Sequence, residues 1–290
     1  MQLILFHSEF EVPLSSKLIF DSFGFANKPA IVFLHGGGSS AWSWHPVARL
    51  LQEDYFCLVP DLPQHGRSIE VKPFGIERAA DEITSLIYAQ VPSRKATVVG
   101  LSEGAQVGVS LCSRAPDLID SAILSGALLK PLAYSKWFSP ALLHWSYKAF
   151  LAPFKHIDWY IRWNMHASVG IPDPFFESFK RDFKSTSAES WSNIMLANQA
   201  FRLPHGLDHV RGRVLALTGH KEYEVMKESA RELAASFPSG KAGMVTLDGK
   251  ISLAQSHNWP LNAPDLCARI IRAWKEGNTL PPEVTPLQSL

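Results

Sequence analysis

The stretch Gly100-Leu101-Ser102-Glu103-Gly104 decides how this chain of 290 residues is interpreted. It follows the apolar run from Ala96 to Val99 and precedes a helix-compatible segment from Ala105 to Arg114. A serine flanked by glycines at a strand-to-helix junction predicts a tight turn, because side chains at the glycine positions would clash with neighbouring strands. The turn also places the serine oxygen beside a helix N-terminus, where unpaired N–H groups favour negative charge.

Two upstream strands run into loops rich in glycine and polar residues. The run Ala30 to Leu34 continues into His35-Gly36-Gly37-Gly38, and the run Phe56 to Pro60 continues into Asp61-Leu62-Pro63-Gln64-His65-Gly66-Arg67-Ser68. Parallel strands of an open sheet end at one edge, and that edge is where such sheets place their sites. Both loops are therefore expected beside Ser102.

An acid and a histidine follow downstream. Glu222 lies just past the apolar run Val214 to Thr218, and His257 precedes Asn258-Trp259-Pro260. With its serine, acid and histidine in this order, the chain resembles the α/β-hydrolase superfamily, in its serine-nucleophile branch with a helical cap. The resemblance covers about Ala30 to Lys275. It implies an α/β fold with a mostly parallel sheet, helices on both faces and an inserted helical cap.

The chemistry of acyl transfer explains these residue types. A neutral serine hydroxyl is a poor nucleophile near neutral pH, so a histidine must take its proton and later return it to the leaving group. We assign Ser102 as nucleophile, His257 as general base and acid, and Glu222 as the carboxylate that orients His257. Two rivals for the acid stay open, Glu224 first and Asp248 second.

The negative charge formed during acyl transfer needs hydrogen-bond donors that are fixed before reaction. The backbone N–H of Glu103 is one predicted donor, and Gly37 supplies the other, with Gly38 as its alternative. The glycines of this loop also permit a sharp turn. A phosphate-binding loop is excluded because no Gly-Lys-Ser/Thr follows, and a dinucleotide fingerprint is not completed.

We predict structural roles for the other polar residues of the two upstream loops. In similar proteins the first histidine and the Asp61-to-Ser68 turn brace the loops around the site. A metal site built from His35, His65 and His257 is disfavoured, because no closely spaced ligand pair accompanies them. We therefore predict no metal and no organic cofactor.

Composition narrows the remaining classes. Hydrophobic residues make up 46% of the chain and charged residues 19%, which indicates a well-packed globular protein, and the net charge of +1 gives no reason to expect nucleic acid. The three cysteines fall within predicted strands or helices, as reduced core thiols do. Met1 to His7 reads as a first strand, being too short for a signal peptide, and no apolar run of about eighteen residues appears. The default expectation is a cytoplasmic protein without a membrane span.

Alternating strand and helix patterns define the predicted organisation. The strands lie near residues 30–34, 56–60, 96–100, 121–125, 213–218 and 243–247, and the helices near 76–90, 105–114, 227–237 and 263–275. This alternation predicts right-handed crossovers and a parallel sheet covered on both faces. We expect a hydrolase core at residues 1–126 and 206–278, a cap at 127–205, and an extended C-terminal tail at 279–290.

The predicted cap holds about half of the chain's aromatic residues in about a quarter of its length. Small helices with little core of their own attach through such side chains, because aromatics bury much area per residue. The remaining aromatics are expected to wall an apolar pocket. The pocket candidates are Trp42, Trp44, Trp137, Trp159 and Trp163.

These features predict a serine hydrolase that cleaves a carboxylester, thioester or lactone of a small to medium apolar substrate through an acyl-enzyme on Ser102. Aspartate-nucleophile branches of the superfamily are disfavoured because the turn carries a serine. Alternatives that stay open are carbon–carbon hydrolysis, cofactor-free oxidative or lyase chemistry, and a small-ligand receptor with the same fold. The sequence does not distinguish a monomer from a homodimer.

Overall fold

The computed structural model describes residues 16–131 and 133–287. The first strand predicted at Met1 to His7 lies outside these residues, as do the last three residues of the predicted tail. No helix among the described residues combines the length and the apolar character that crossing a membrane requires.

One sheet of eight strands organises the described chain. Its strands are β1 (Phe20–Phe23), β2 (Ala30–Leu34), β3 (Phe56–Pro60), β4 (Ala96–Leu101), β5 (Ile119–Ser125), β6 (Arg213–Gly219), β7 (Gly240–Val245) and β8 (Val284–Pro286). Their order across the sheet is β1-β3-β2-β4-β5-β6-β7-β8. The six central strands are parallel, while β1 and β8 pair antiparallel at the two edges. The predicted α/β class with a mostly parallel sheet is therefore confirmed.

Helices connect the strands and form an insertion between β5 and β6. They are α1 (His45–Leu51), α2 (Ile76–Gln90), α3 (Glu103–Arg114), α4 (Pro140–Ser146), α5 (Asp158–Asn164), α6 (Phe176–Ser185), α7 (Ala188–Ala200), α8 (Glu224–Ala235), α9 (Leu253–His257), α10 (Trp259–Asn262) and α11 (Pro264–Glu276). Helix α3 begins two residues earlier than the sequence pattern predicts, directly after Ser102. Helix α8 also begins earlier, at Glu224.

Successive residues of the central strands face opposite sides of the sheet, and each side has its own core. Val98 packs with residues of α2 and α3, whereas Val99 packs with residues of α1 and α11. Every residue of β2, β3 and β4 is buried, which is why these strands read as continuous apolar runs instead of alternating ones. The helices on both faces leave only the strand ends open for a site.

The insertion between β5 and β6 carries α4 to α7 and has a small apolar cluster of its own. Ile161, Met165 and Phe179 belong to that cluster, and Trp42 and Leu261 join it from outside the insertion. The boundaries 127–205 of a separate cap domain stay a prediction. In the predicted tail, residues 284–286 are extended and pair with β7, a contact that the prolines of this segment did not reveal.

Candidate active site

Ser102 sits on a sharp turn between β4 and α3, with φ of 56°. L-residues rarely adopt this left-handed region, so the surrounding backbone must hold it in place. A Cβ at Gly100 would lie 2.6 Å from the carbonyl oxygen of Gly104, and one at Gly104 would lie 2.2 Å from that of Leu34. Both glycines are thus required by close backbone packing, as the G-x-S-x-G pattern predicts.

The end of β5 connects the turn at Ser102 to the segment that carries His257. The backbone N–H of Ser102 donates to the carbonyl of Ser125 at 2.7 Å. The side chain of Ser125 accepts a hydrogen bond from the indole N–H of Trp259 at 2.9 Å. The next residue, Gly126, faces the imidazole of His257, since a Cβ there would lie 2.8 Å from its Cε1.

Glu222 and His257 form a direct hydrogen-bonded pair. The Nδ1 of His257 lies 2.9 Å from Oε2 of Glu222, and Oε1 of the same carboxylate accepts the Gly219 N–H at 2.9 Å. The loop of Glu222 is fixed against α9, because the Lys221 N–H donates to the Ser256 hydroxyl at 3.0 Å. The carboxylate therefore has one defined orientation toward the imidazole.

The pair changes the acidity of both groups. Burial favours the neutral imidazole, but the charge and hydrogen bond of Glu222 outweigh it, so the pKa of His257 is raised above its ordinary value. Burial alone would raise the pKa of Glu222, yet His257 and the Gly219 N–H hold it below the usual range. The carboxylate thus stays charged and stabilises a protonated imidazole, as a base that receives a serine proton requires.

The two rival acids lie elsewhere. Glu224 is exposed at the start of α8, where its carboxylate pairs with Arg231 at 3.0 Å and with Lys227 at 3.4 Å. Asp248 is exposed in the loop after β7. Neither makes the contact with His257 that Glu222 makes. The role of Glu222 in catalysis stays a prediction.

The candidate donors for an oxyanion lie around Ser102. Gly37, Gly38 and Glu103 share the wall of one cavity with Ser102. A Cβ at the preceding residue, Gly36, would lie 3.3 Å from the Cβ of Ser102, so the glycine loop touches the turn directly. The assignment of Gly37 and Glu103 as donors stays a prediction.

The side chain of Glu103 is a feature that sequence reasoning missed. It is 1% exposed and lies beside Gly37, with Oε2 only 3.4 Å from where a Cβ of that glycine would be. Its Oε1 is 3.3 Å from Nε2 of His65. Burial raises the pKa of Glu103 to about 8. The sequence signal that could have identified it is an acidic residue directly after Ser102, at the start of a helix that the tight turn buries.

The two upstream loops hold each other in place, as their predicted structural role requires. His35 is buried, donates from Nδ1 to the Gly36 carbonyl and accepts the Leu62 N–H on Nε2, each at 3.0 Å. The Asp61 carboxylate accepts the Ala41 N–H at 2.7 Å and the Arg67 Nε at 2.7 Å. These contacts link the glycine loop to the loop after β3.

A cavity of about 350 Å³ opens at Ser102 between these loops and the insertion. Its apolar wall comes mostly from the insertion and consists of Tyr147, Leu151, Val169, Phe179, Phe183, Trp191, Ile194 and Met195. Polar groups are also present, among them Gln64, Lys155 and Asp182. The spacing of Phe179 and Phe183 on one helix face was the sequence signal for this wall.

None of the five tryptophans named as pocket candidates is among the described residues that line the cavity. Trp42 is buried, where its indole donates to Asp182 at 2.7 Å, and Trp44 is buried against Phe33. Trp137, Trp159 and Trp163 are 70%, 68% and 57% exposed. The pocket prediction is corrected on this point, because helical periodicity identifies aromatic faces without telling which face turns toward the site.

Part of the chain is similar in sequence to known proteins. A family model described as alpha/beta hydrolase fold matches residues 29–155. A protein of Gibberella zeae named AB hydrolase superfamily protein is 38% identical over 98 residues, which are 33% of this chain and 35% of that protein. The 3-oxoadipate enol-lactonase 2 of Acinetobacter baylyi is 27% identical over 128 residues, 43% of this chain and 47% of that protein. The chain thus matches less than half the length of these relatives.

A solved structure is similar over most of the chain. A thermophilic esterase from Thermogutta terrifontis has a TM-score of 0.67 and 18% identity, covering 90% of this chain and 93% of that chain. Likeness at this identity shows the fold alone.

Proposed function

Because the chain belongs to the α/β-hydrolase superfamily, we propose that it is a serine hydrolase. It cleaves a carboxylester, thioester or lactone of a small to medium apolar substrate through an acyl-enzyme on Ser102. One observation carries the proposal: the serine on its strained turn opens into a cavity, and the end of β5 that accepts its N–H also faces an imidazole that a buried carboxylate orients.

The mechanism follows from these positions. His257 takes the proton from Ser102 Oγ while this oxygen attacks the acyl carbon, and the carbonyl oxygen becomes an oxyanion. The backbone N–H groups of Glu103 and Gly37 donate to that oxyanion. The leaving oxygen or sulfur departs with the proton from His257. Water, activated by His257 in turn, attacks the acyl carbon and releases the acid and free Ser102.

The substrate class follows from the cavity. Its volume of about 350 Å³ is near the lower end of about 300–1,000 Å³ for small-molecule sites, which suits a compact acyl group. Apolar side chains of the insertion line it, so an uncharged body is favoured over a strongly charged one. The enol-lactonase among the similar proteins supports lactone cleavage, which is ester chemistry in a ring.

The insertion at residues 127–205 acts as a cap in this proposal. Phe179 and Phe183 of α6, and Trp191 and Ile194 of α7, line the same cavity as Ser102. The cap is also anchored to the glycine loop, because the hydroxyl of Ser40 donates to Asp182 at 2.7 Å. Specificity is then set by residues of the cap, and the chemistry by residues at the strand ends.

The test is Ser102→Ala, assayed with para-nitrophenyl esters of increasing acyl length beside the unmodified protein. We expect loss of turnover by a factor of about 10⁴ to 10⁶ with unchanged thermal stability. A phenylmethylsulfonyl reagent should label Ser102 and no other serine, as read by mass spectrometry. A folded Ser102→Ala protein that retains esterase activity refutes the proposal. Ligand binding without turnover by the unmodified protein favours the receptor alternative.

Acyl-length preference tests the substrate class separately. We expect kcat/KM to rise from acetyl to butanoyl or hexanoyl esters and to fall once the chain exceeds the cavity. Among the described residues that line the cavity, Lys155 is the one lysine or arginine, and outside it Arg162 pairs with Asp173 and Lys180 with Asp158. A preference for short acyl groups that carry a carboxylate would overturn the apolar class while leaving the role of Ser102 intact.

A further inference from the structure

The Glu103 carboxyl is buried next to the nucleophile with no hydrogen-bond partner for either oxygen among the described residues. An ionised carboxylate without partners is expensive to bury, and such groups usually become neutral instead. The protonation state of Glu103 matters for catalysis, because Glu103 Oε2 faces Gly37, one of the two proposed oxyanion donors. A negative charge here would oppose the negative charge that forms on the substrate.

The hydrogen bonds of the neighbouring His65 imidazole indicate that Glu103 carries a proton. The Nδ1 of His65 lies 2.9 Å from the carbonyl oxygen of Pro63, and a carbonyl can only accept, so this nitrogen carries hydrogen. In the neutral ring, Nε2 is then a bare acceptor. It is buried without a hydrogen bond to any other group of the described chain, and Glu103 Oε1 lies 3.3 Å from it. Two acceptors at this distance repel each other unless one oxygen of Glu103 is protonated.

We propose that Glu103 is a positioning residue, held as a neutral carboxylic acid by donating its proton to His65 Nε2, and that this keeps negative charge away from the oxyanion hole. The inference rests on the proposed function. When Glu103 ionises, its proton passes to solvent and the carboxylate remains beside Gly37. The oxyanion then forms against a fixed negative charge, so acyl transfer slows.

The charges around Glu103 agree with a neutral acid. Behind His65 lies the ring of His35, 5.0 Å between centroids, with both its nitrogens engaged by backbone groups. Burial, together with the neighbouring His35, lowers the pKa of His65 to about 3, so His65 supplies no positive charge that would hold Glu103 ionised. The Asp61 carboxylate on the same loop is committed to Arg67.

Groups on the facing elements also leave Glu103 without a counter-ion. Across the cavity, Lys155 donates to the Tyr147 hydroxyl at 3.3 Å and to the Thr186 carbonyl at 3.2 Å. Asp182 accepts from Ser40 and Trp42 and lies 3.4 Å from Arg181. On the far side of Ser102, His257 is paired with Glu222. Among the described residues, His65 is the single basic side chain within 4 Å of the Glu103 carboxyl.

The experiment compares pH profiles of kcat/KM for the unmodified protein, Glu103→Gln and Glu224→Gln. Glutamine is the matched replacement, because its amide N–H can donate to His65 Nε2 as the acid does but cannot ionise. Glu224→Gln makes the same chemical change on the exposed start of α8. Burial raises the pKa of Glu103 to about 8, so the unmodified protein should lose about tenfold in kcat/KM between pH 7 and pH 9.

In Glu103→Gln the ratio of kcat/KM at pH 7 to kcat/KM at pH 9 should fall from about ten to about one, whereas Glu224→Gln keeps the tenfold decline. An alkaline decline that persists in Glu103→Gln overturns the inference, and so does a profile of the unmodified protein that is flat to pH 9. Neither result bears on the acyl-enzyme, which Ser102→Ala tests separately.

A second measurement does not depend on turnover or on the variant folding. Infrared difference spectra of the unmodified protein between pH 6 and pH 10 should show the carbonyl band of a protonated carboxylic acid disappearing with a midpoint near 8. The same band should appear in Ser102→Ala, which keeps Glu103. Absence of a protonated carboxyl band at pH 6 to 7 overturns the inference even if the enzyme is active.

Discussion

Replacing Gly126 by alanine should disable the site while leaving the fold in place. Gly126 follows β5 and has φ of 66°. A methyl group there would lie 2.8 Å from Cε1 and 3.2 Å from Nδ1 of His257, and 3.7 Å from Oε1 of Glu222. The contacted atoms are the far end of a half-buried side chain, so the imidazole can move aside. The movement would take His257 away from the position that its hydrogen bond to Glu222 gives it, and the proposed mechanism depends on that position.

The size of the effect can be worked from these distances. Carbon atoms in contact are separated by about 3.5 to 4.0 Å, so the ring must move by roughly 0.7 to 1.2 Å. A misplacement of about 1 Å at a reacting group costs about 100-fold in rate. Alanine in the left-handed region costs about 1 to 2 kcal/mol of stability, and each kcal/mol lowers Tm by about 2 to 4 °C in a protein of this size. We therefore expect kcat about 100-fold lower and a small decrease in Tm.

Gly249→Ala is the matched control. Gly249 has φ of 81°, and a Cβ there would meet nothing within 4 Å. It carries the same backbone strain without touching the site, so Tm should fall by a similar amount while kcat stays unchanged. Thermal unfolding and para-nitrophenyl ester turnover are measured side by side. If Gly126→Ala is as active as Gly249→Ala, or if it does not fold, the reasoning about His257 is refuted.

Three further outcomes are expected. Glu222→Gln should lower kcat more than Glu224→Gln, because only the former carboxylate contacts His257; equal losses would contradict the assignment of the acid. Activity needs the neutral imidazole of His257, and Glu222 raises the pKa of that imidazole above the ordinary value of 6.5. The value of kcat/KM should therefore fall as the pH drops through a midpoint above 6.5, and a profile that is flat from pH 5 to 8 argues against His257 as base. Asp61→Ala should lower the free energy of unfolding by about 2 to 3 kcal/mol in urea titrations, since it removes hydrogen bonds to Arg67 and to backbone; no change would mean that Asp61 does not brace the loops.

The fold class and the turn at Ser102 could be predicted from local sequence patterns. The fold class is confirmed, because apolar runs that are buried on both faces, separated by helical periodicity, have few packed arrangements other than a covered parallel sheet. The turn at Ser102 follows from its two glycines, which strand and helix backbones approach too closely for any side chain. Element boundaries were less accurate at α3 and α8, which both begin with a glutamate two or three residues before the predicted start.

The insertion between β5 and β6 shows where such reasoning ends. Its aromatic content is plain in the sequence, yet its residues Trp137, Trp159 and Trp163 face outward, and Trp42 and Trp44, which precede it, are packed away from the cavity. A single helix has one apolar face whether that face meets a core, a cavity or water. Which of these it meets depends on how the insertion sits on the sheet, and this is a property of the whole chain.

The sequence by itself determined the six central strands of the sheet and the turn at Ser102, since these depend on residues that are neighbours along the chain or repeat with a strand or helix period. Only the tertiary structure brought Glu222 rather than Glu224 against His257, and Glu103 into a buried contact with His65. Glu222 and Glu224 are two positions apart in the sequence, and Glu103 and His65 are 38 positions apart. Distances across space and the burial that shifts a pKa arise from packing among distant segments, which no local pattern encodes.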